Sequence, residues 1–117
     1  PISNPNVWAE YAKKHPHVRF VFTHIGYYEF GMSTIEAVKD LPNVWVETSG
    51  QMDVEVLKKA IAVLGSKRVC FGTDWPYKPV NMEISKFYEL ELTEEQRADI
   101  FYRNAEKLWK RVREEQI

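Results

Sequence analysis

Two side chains that can bind a metal ion or transfer a proton, His24 and Asp74, follow predicted strands. Functional groups in parallel α/β folds gather at the carboxyl ends of strands. A carboxylate such as Asp74 is a suitable ligand for Zn²⁺ or Mn²⁺, and an imidazole such as His24 is a suitable general base. If the two strands flank a third, their backbones lie about 9–10 Å apart. The two residues could then share one metal-bound water.

A structural role is the alternative for each of these two side chains. An imidazole after the apolar run 20–23 can also be hydrogen-bonded into the core, although Gly26 would permit a close backbone approach there. An aspartate at the position of Asp74 can equally cap the turn that follows the strand. Alternation of side chains would place Cys70, Gly72 and Asp74 on one open strand face, which favours a functional role for the carboxylate.

Three further side chains at the same strand ends are candidates for contacts with a substrate: Glu47, Ser49 and Trp75. Glu47 and Ser49 stand at the end of the second predicted strand, although Glu47 could instead pair with a local basic group. Trp75 could line the mouth of a pocket after the third strand. His15 and His17 have a metal-binding spacing, but they precede the first strand and are expected at the opposite end of the sheet, as two surface histidines in a turn.

Three short apolar runs are predicted as strands, and they alternate with amphipathic helices: 18–23, 44–48 and 68–73. This order indicates right-handed crossovers and a parallel sheet. The strands recur about every 25 residues, which matches the size of a βα unit. A sheet of only three strands leaves both of its edges open. We therefore expect the chain to belong to a larger barrel or to associate with copies of itself.

Polar residues with capping character place the first two predicted helices. Asn4 precedes Pro5 and a helix over 7–14, since Asn is a good N-cap and Pro suits the first helical turn. Ser33 and Glu36 have the spacing of a capping box, which predicts a second helix over 33–41.

The remaining helices are predicted in the same way. Asp53 is the expected N-cap of a third helix, which ends at Gly65. A helix is also predicted over 82–90, and a capping box formed by Thr93 and Gln96 begins the last one. The apolar face of this last helix comprises Phe101, Ala105, Leu108 and Val112.

The composition is that of a globular domain. The 117 residues are 44% hydrophobic and 28% charged, and this length gives one domain at most. The formal net charge of -1 argues against a partner such as nucleic acid, which attracts strongly basic proteins. No apolar run is long enough to cross a membrane. The single cysteine, Cys70, is expected to be small, buried and unactivated, and the lack of any internal disulfide favours a cytoplasmic location.

Four segments resemble a known family in the expected order and spacing. They are 20–26 (FVFTHIG), 43–50 (NVWVETSG), 68–76 (RVCFGTDWP) and 104–109 (NAEKLW). They resemble the sixth, seventh and eighth strands and the closing helix of the amidohydrolase-related metal-dependent hydrolases, which are (β/α)8 TIM barrels. The resemblance implies an α/β fold in which residues 1–117 form a single partial barrel domain.

The resemblance also implies chemical roles. Asp74 would bind the catalytic divalent metal or orient its water, and His24 would act as a general acid or base or polarise the substrate. Zinc is the first expectation for the metal and manganese the second. The family's His-x-His after strand one and its His after strand five have no counterpart here. The chain is therefore expected to be a fragment that holds metal weakly and is inactive without the missing amino-terminal barrel half.

Three functions remain open at this point. The first is part of a metal-dependent hydrolase that directs activated water at a small carboxylate, lactone or amide substrate. The second is part of a metal-dependent decarboxylase of the same family. The third is a partial barrel with a binding or structural role and no catalysis. A flavodoxin-like module is disfavoured, because the chain has too few strands and no phosphate-binding glycine loop.

Overall fold

The strands form one parallel sheet with the order β1-β2-β3. The structure, a computed structural model, describes the backbone of residues 4–115 and the side chains of 4–27 and 29–110. The strands are β1 (Phe20–Phe22), β2 (Val44–Glu47) and β3 (Val69–Cys70). The register aligns Phe22 with Val46 and Val46 with Val69. The predicted parallel sheet is confirmed, and the first and third strands flank the second.

The observed strands are shorter than the predicted runs, for two physical reasons. β1 ends before Thr23 because the next residue, His24, has a left-handed φ of 59°, which breaks the extended backbone. β3 ends at Cys70, where its pairing with β2 stops, and the next N–H, of Phe71, faces the other edge of the strand and donates to the Ile100 carbonyl at 2.8 Å. Asp74 has a left-handed φ of 56°, so regular alternation does not reach it, and the expectation of one shared strand face is wrong for Asp74.

Six α-helices accompany the strands within residues 4–115. They are α1 (Pro5–Lys14), α2 (Gly31–Val38), α3 (Val54–Leu64), α4 (Val80–Ser85), α5 (Glu94–Ala98) and α6 (Asn104–Glu115). A 3₁₀ turn, Lys86–Glu89, follows α4 in the region predicted as a single helix over 82–90, and a π-helical turn, Asp99–Arg103, joins α5 to α6. No helix in this part of the chain is long and apolar enough to span a membrane. The predicted apolar position Val112 lies outside the described side chains.

Most of the predicted helix starts are confirmed by hydrogen bonds. Asn4 accepts from the Asn6 N–H at 3.0 Å, and Asp53 accepts from the Glu55 N–H at 2.9 Å. Thr93 and Gln96 bond each other's backbone N–H groups reciprocally, as a capping box does. These side chains satisfy donors that would otherwise have no partner in the first helical turn.

The capping box predicted at Ser33 is wrong. α2 begins at Gly31, so Ser33 lies within its first turn, and the Ser33 hydroxyl donates to the Phe30 carbonyl at 3.0 Å. Glu36 pairs instead with Lys39, at 2.6 Å on the exposed face of the helix. The spacing of a capping box can thus occur two residues inside a helix whose first turn has no side-chain cap.

The two faces of the sheet have opposite environments. Val44, Val46 and Val69 are at most 1% exposed, and they belong to the apolar core that also includes residues of α2 and α3. Val21, whose register partner is Trp45, points to the other face and is 46% exposed. In a closed barrel this second face is the interior, which is filled by side chains from all of the strands. The described residues leave it partly uncovered.

Arg68 ties the end of α2 to the sheet. Its guanidinium donates to the carbonyls of Val38 and Leu41 at 2.7 Å and to those of Lys39 and Val44 at 2.9 Å. The Val38 and Leu41 carbonyls also accept the Leu41 and Val44 N–H groups, so the guanidinium adds charge-assisted bonds to an already ordered turn. Desolvation by burial lowers the Arg68 pKa from its ordinary value. One side chain therefore contacts four carbonyls along the connection between α2 and β2.

Replacing Arg68 by methionine is expected to lower the free energy of unfolding by about 2–4 kcal/mol, because several carbonyls lose charge-assisted donors while the apolar stem is kept. Lysine at position 68 should restore less than half of the lost free energy of unfolding, since its single side-chain nitrogen cannot reach all four carbonyls. Urea unfolding measures both effects, and methionine at the exposed Arg97 is the matched control. A loss at Arg68 no larger than at Arg97 would contradict this account.

Candidate functional site

Three of the predicted site residues, His24, Glu47 and Ser49, meet at the carboxyl ends of β1 and β2. His24 Nδ1 lies 2.7 Å from the Ser49 carbonyl oxygen and 3.2 Å from its hydroxyl. Glu47 accepts hydrogen bonds from the Ser49 N–H at 2.7 Å and from the Ser49 hydroxyl at 2.9 Å. Its other contact is the His24 N–H, at 3.4 Å. The structure therefore links two adjacent strand ends by one connected hydrogen-bond network.

The contact with Ser49 sets the tautomer of His24. A carbonyl oxygen can only accept a hydrogen bond, so the Nδ1 atom must carry the proton in this arrangement. The other ring nitrogen, Nε2, then has its lone pair available in the neutral imidazole. An imidazole held in this way can take up and release a proton at one defined atom, or bind a metal there.

Ser49 belongs to a tight turn, Thr48–Gln51, that follows β2. The Gln51 N–H donates to the Thr48 carbonyl at 3.2 Å, and Gly50 has a φ of 71°. A positive φ at the third position is characteristic of a type II turn, and glycine adopts it without strain. A Cβ atom on Gly50 would lie 3.2 Å from His24 Nδ1. The turn therefore packs directly against the imidazole.

Glu47 serves mainly to connect the strand ends. Both of its carboxylate oxygens accept hydrogen bonds from His24 and Ser49. A Cβ atom on Gly72 would lie 2.1 Å from Glu47 Oε1, so the chain after β3 also depends on the position of this carboxylate. Direct contact of Glu47 or Ser49 with a substrate stays a prediction.

Asp74 and Trp75 lie after β3 and are exposed, Trp75 by 72%. Asp74 has a φ of 56°, and its carbonyl accepts from the Tyr77 N–H at 2.9 Å. His24 and Asp74 are thus both non-glycine residues in the left-handed region, which costs roughly 1–2 kcal/mol each. Such strain is concentrated at functional sites. The proposed roles of Asp74 and Trp75 stay predictions.

The described residues supply only part of a metal site. His24 has an available imidazole nitrogen, and Asp74 offers an exposed carboxylate. No group of three or more His, Cys, Asp or Glu side chains within the part of the chain that the structure describes could surround an ion. Catalytic zinc sites usually have three protein ligands. The structure shows no contact between His24 and Asp74, so their sharing of one metal-bound water stays a prediction, and Asp74 could be one ligand of a site whose other ligands come from outside the described residues.

Two other candidates are separate from this network. Cys70 is buried, and burial raises the pKa of its thiol to about 11, with a smaller contribution from Glu47. The thiol is therefore neutral near pH 7 and a poor nucleophile or ligand. His15 and His17 are exposed, with ring centroids 6.4 Å apart, at the end of α1 and before β1. They lie at the amino ends of the strands, as predicted.

Sequence reasoning did not identify three residues that support the site, Gly50, Glu83 and Lys86. Gly50 carries the positive φ of the turn that contacts His24, and its place directly after Ser49 was the available signal. Glu83 and Lys86 are buried beneath that turn. Their spacing of three residues is also that of an exposed ion pair on a helix, so it gave no indication of burial.

The sequence pattern of the amidohydrolase family (Amidohydro_2) matches residues 3–111. A γ-resorcylate decarboxylase from a Polaromonas species is 27% identical over 109 residues, which are 93% of this chain and 29% of that protein. Another, from Rhodococcus jostii, is 37% identical over 68 residues, which are 58% of this chain and 21% of that protein. The chain thus spans less than a third of the length of these relatives.

Solved structures agree on the fold. A TIM-barrel protein from Bordetella bronchiseptica superimposes with a TM-score of 0.79 at 20% identity, over 92% of this chain and 40% of that one. A dihydroxybenzoic acid decarboxylase from Polaromonas with bound manganese has a TM-score of 0.70 at 22% identity, over 87% and 39%. An amidohydrolase from Burkholderia multivorans with bound zinc has a TM-score of 0.70 at 20% identity, over 85% and 46%. The chain belongs to the amidohydrolase family, and its three parallel strands are a portion of that family's TIM barrel.

Proposed function

We propose that the protein is a metal-dependent decarboxylase of small aromatic hydroxy acids, to which this chain contributes strands six to eight and the closing helices of the barrel. The observation that carries the proposal is the match to a γ-resorcylate decarboxylase across 93% of the chain. The defined tautomer of His24 agrees with it, because decarboxylation needs a proton donor at a fixed place. The hydrolase favoured by the sequence alone has less support.

The geometry suggests how His24 acts in this reaction. With Nδ1 bonded to the Ser49 carbonyl, the imidazole gains and loses its second proton only at Nε2. The protonated ring would transfer that proton to the substrate carbon that bears the carboxylate. The bond between this carbon and the carboxylate then breaks, its electron pair returns to the aromatic ring, and carbon dioxide leaves. His24 is left neutral with its proton on Nδ1, ready to be protonated again at Nε2.

Asp74 would be the ligand that this chain provides to a divalent metal. A bound ion of this kind supplies positive charge that orients and neutralises the substrate's oxygen groups. Manganese and zinc are both compatible with a carboxylate ligand. Trp75, exposed beside Asp74, would cover one side of the aromatic substrate. The uncovered inner face of the sheet at Val21 would be closed by the remaining barrel strands or, for the isolated chain, by a second copy.

Replacing Asp74 by asparagine is expected to weaken metal binding by about tenfold or more, because an ionised ligand is lost. The measurement is metal content of the purified full gene product by mass spectrometry, after dialysis against a fixed concentration of Mn²⁺ or Zn²⁺. Asparagine at Asp40, an exposed residue at the end of α2, is the control. Equal metal content in all three proteins would remove Asp74 from the metal site.

The function is tested by incubating the full gene product with γ-resorcylate and Mn²⁺ or Zn²⁺. Decarboxylation is followed by chromatography of the phenolic product and by release of carbon dioxide. A lactone, an ester and an amide of similar size test for hydrolysis in parallel. Turnover of the hydroxy acid alone is the expected result. Hydrolysis without decarboxylation would overturn the proposal in favour of the hydrolase.

A further inference from the structure

A buried ion pair outside the proposed chemistry lies beneath the turn that carries Ser49. Glu83, on α4, is 1% exposed, and Lys86, directly after α4, is 6% exposed. Glu83 Oε2 and Lys86 Nζ are 2.5 Å apart. Charged side chains are almost never buried to this degree without a partner. A buried pair generally gives no more stability than apolar residues of the same volume, so its presence calls for another explanation.

Both members of the pair also bind the turn Thr48–Gln51. Lys86 Nζ donates to the Thr48 carbonyl at 2.8 Å and to the Gln51 carbonyl at 2.9 Å. Glu83 Oε1 accepts from the Gly50 N–H at 3.1 Å. The ammonium group therefore donates two hydrogen bonds to the turn, and Glu83 Oε2 balances its charge as an ion-pair partner without forming a hydrogen bond. The pair therefore fixes both ends and the middle of this turn.

The same turn determines the state of His24. Its Ser49 carbonyl receives the Nδ1 proton at 2.7 Å, and its Gly50 backbone lies against the ring, as the 3.2 Å distance from an added Cβ shows. If the turn moved by a few tenths of an ångström, the hydrogen bond between the Ser49 carbonyl and Nδ1 would lengthen, or the Gly50 backbone would press against the imidazole ring. Glu83 and Lys86 therefore influence the position of the imidazole indirectly, because they bind the four-residue turn that contacts it.

We propose that Glu83 and Lys86 are positioning residues that hold His24 in its Nδ1-protonated tautomer by fixing the turn Thr48–Gln51. The effect on the tautomer is a property of this chain. The consequence for turnover rests on the decarboxylase proposed above, in which Nε2 transfers the proton.

The test is a pair of substitutions made together in the 117-residue chain, Glu83→Gln and Lys86→Met. The glutamine can still accept from the Gly50 N–H, whereas methionine fills the volume of lysine and donates nothing. We expect the chain to stay folded, since a neutral pair of similar size replaces the charges. The turn loses the two hydrogen bonds that Lys86 donates to the Thr48 and Gln51 carbonyls. The Nδ1–H form of His24 should then change from the major to the minor tautomer.

Long-range ¹H–¹⁵N spectra read the tautomer directly, and the three histidines of the chain can be assigned by single substitution. The spectra are recorded at a pH at which the imidazoles are neutral. The matched control is Glu36→Gln with Lys39→Met, an exposed pair of the same spacing at 2.6 Å, which should leave His24 unchanged. An unchanged tautomer in the folded Glu83 and Lys86 variant would overturn the proposal.

A measurement without substitution keeps the proposal testable if the double variant does not fold. The Gly50 amide of the unaltered chain should exchange with solvent as slowly as amides in β2, because Glu83 holds it in a buried site. Exchange of the Gly50 amide at the rate of an unprotected peptide would contradict the proposal that Glu83 and Lys86 fix the turn.

Turnover by the full gene product separates this proposal from the proposed function. The double variant should lower kcat about tenfold or more with little change in KM, since His24 is displaced while substrate contacts are kept. A changed tautomer with unchanged kcat would support the positioning of His24 and contradict its proposed catalytic role. Normal turnover of the hydroxy acid by the double variant, with an unchanged tautomer, would contradict the positioning role of Glu83 and Lys86 but not the proposed function.

Discussion

Replacement of His24 by glutamine is expected to slow the proposed decarboxylation about 100- to 10 000-fold in the full gene product, the usual contribution of a general acid or base. The ring has only one nitrogen available for proton transfer, because Nδ1 is bonded to the Ser49 carbonyl. A glutamine side chain can hydrogen-bond from a similar position, but it cannot take up and release a proton near neutral pH. The loss should therefore fall on kcat, with substrate binding largely kept.

Metal content distinguishes this effect from damage to the site. The His24 variant should retain most of its metal, whereas the Asp74 variant should lose it, because only the latter removes the proposed carboxylate ligand. Glutamine at His17, exposed at the amino ends of the strands, is the control and should leave kcat unchanged. Full activity in the His24 variant would exclude the imidazole from proton transfer.

The order of strands and their parallel arrangement could be predicted because apolar runs and capping residues are local signals. Val44 and Val46 are buried under the helices in the strand that their apolar run indicates. The lengths of the strands could not be predicted, since β3 pairs with β2 only up to Cys70 and the next N–H, of Phe71, bonds the distant Ile100 carbonyl. A contact between residues 29 positions apart leaves no local pattern in the sequence.

Three members of the hydrogen-bond network could be predicted as candidates from the sequence, whereas their contacts with one another could be predicted only in part. His24, Glu47 and Ser49 were identified from their places after strands, and the structure joins them. Their joining depends on the left-handed φ of His24, a conformation that propensities for a histidine after an apolar run do not indicate. The burial of Glu83 and Lys86 could not be predicted, because burial depends on tertiary packing and their spacing matches that of exposed ion pairs on helices.

Gly26 ends the turn that carries His24, and its replacement by alanine is expected to have the largest effect on stability. Gly26 has a φ of 75°, and a Cβ atom there would lie 1.7 Å from the hydroxyl oxygen of Thr34, which is fully buried in α2. Left-handed strain of about 1–2 kcal/mol adds to an overpacking cost of about 1–3 kcal/mol. We expect the free energy of unfolding to fall by about 3 kcal/mol or more.

Gly65 is the control for strain without collision, because an added Cβ would meet no atom within 4 Å, while its φ of 82° and ψ of 154° lie in a region that essentially only glycine adopts. Alanine at Gly65 therefore costs backbone strain at least as large as at Gly26, and any further loss at Gly26 is a lower bound on the cost of the collision with Thr34. Urea unfolding should show the larger loss at Gly26, a large part of the roughly 5–15 kcal/mol that holds a domain together. A loss at Gly26 of only about 1–2 kcal/mol, the left-handed strain alone, would mean that α2 can move away from the turn. The position of His24 would then depend on Glu47 and Ser49, and not on the packing of Gly26 against the helix.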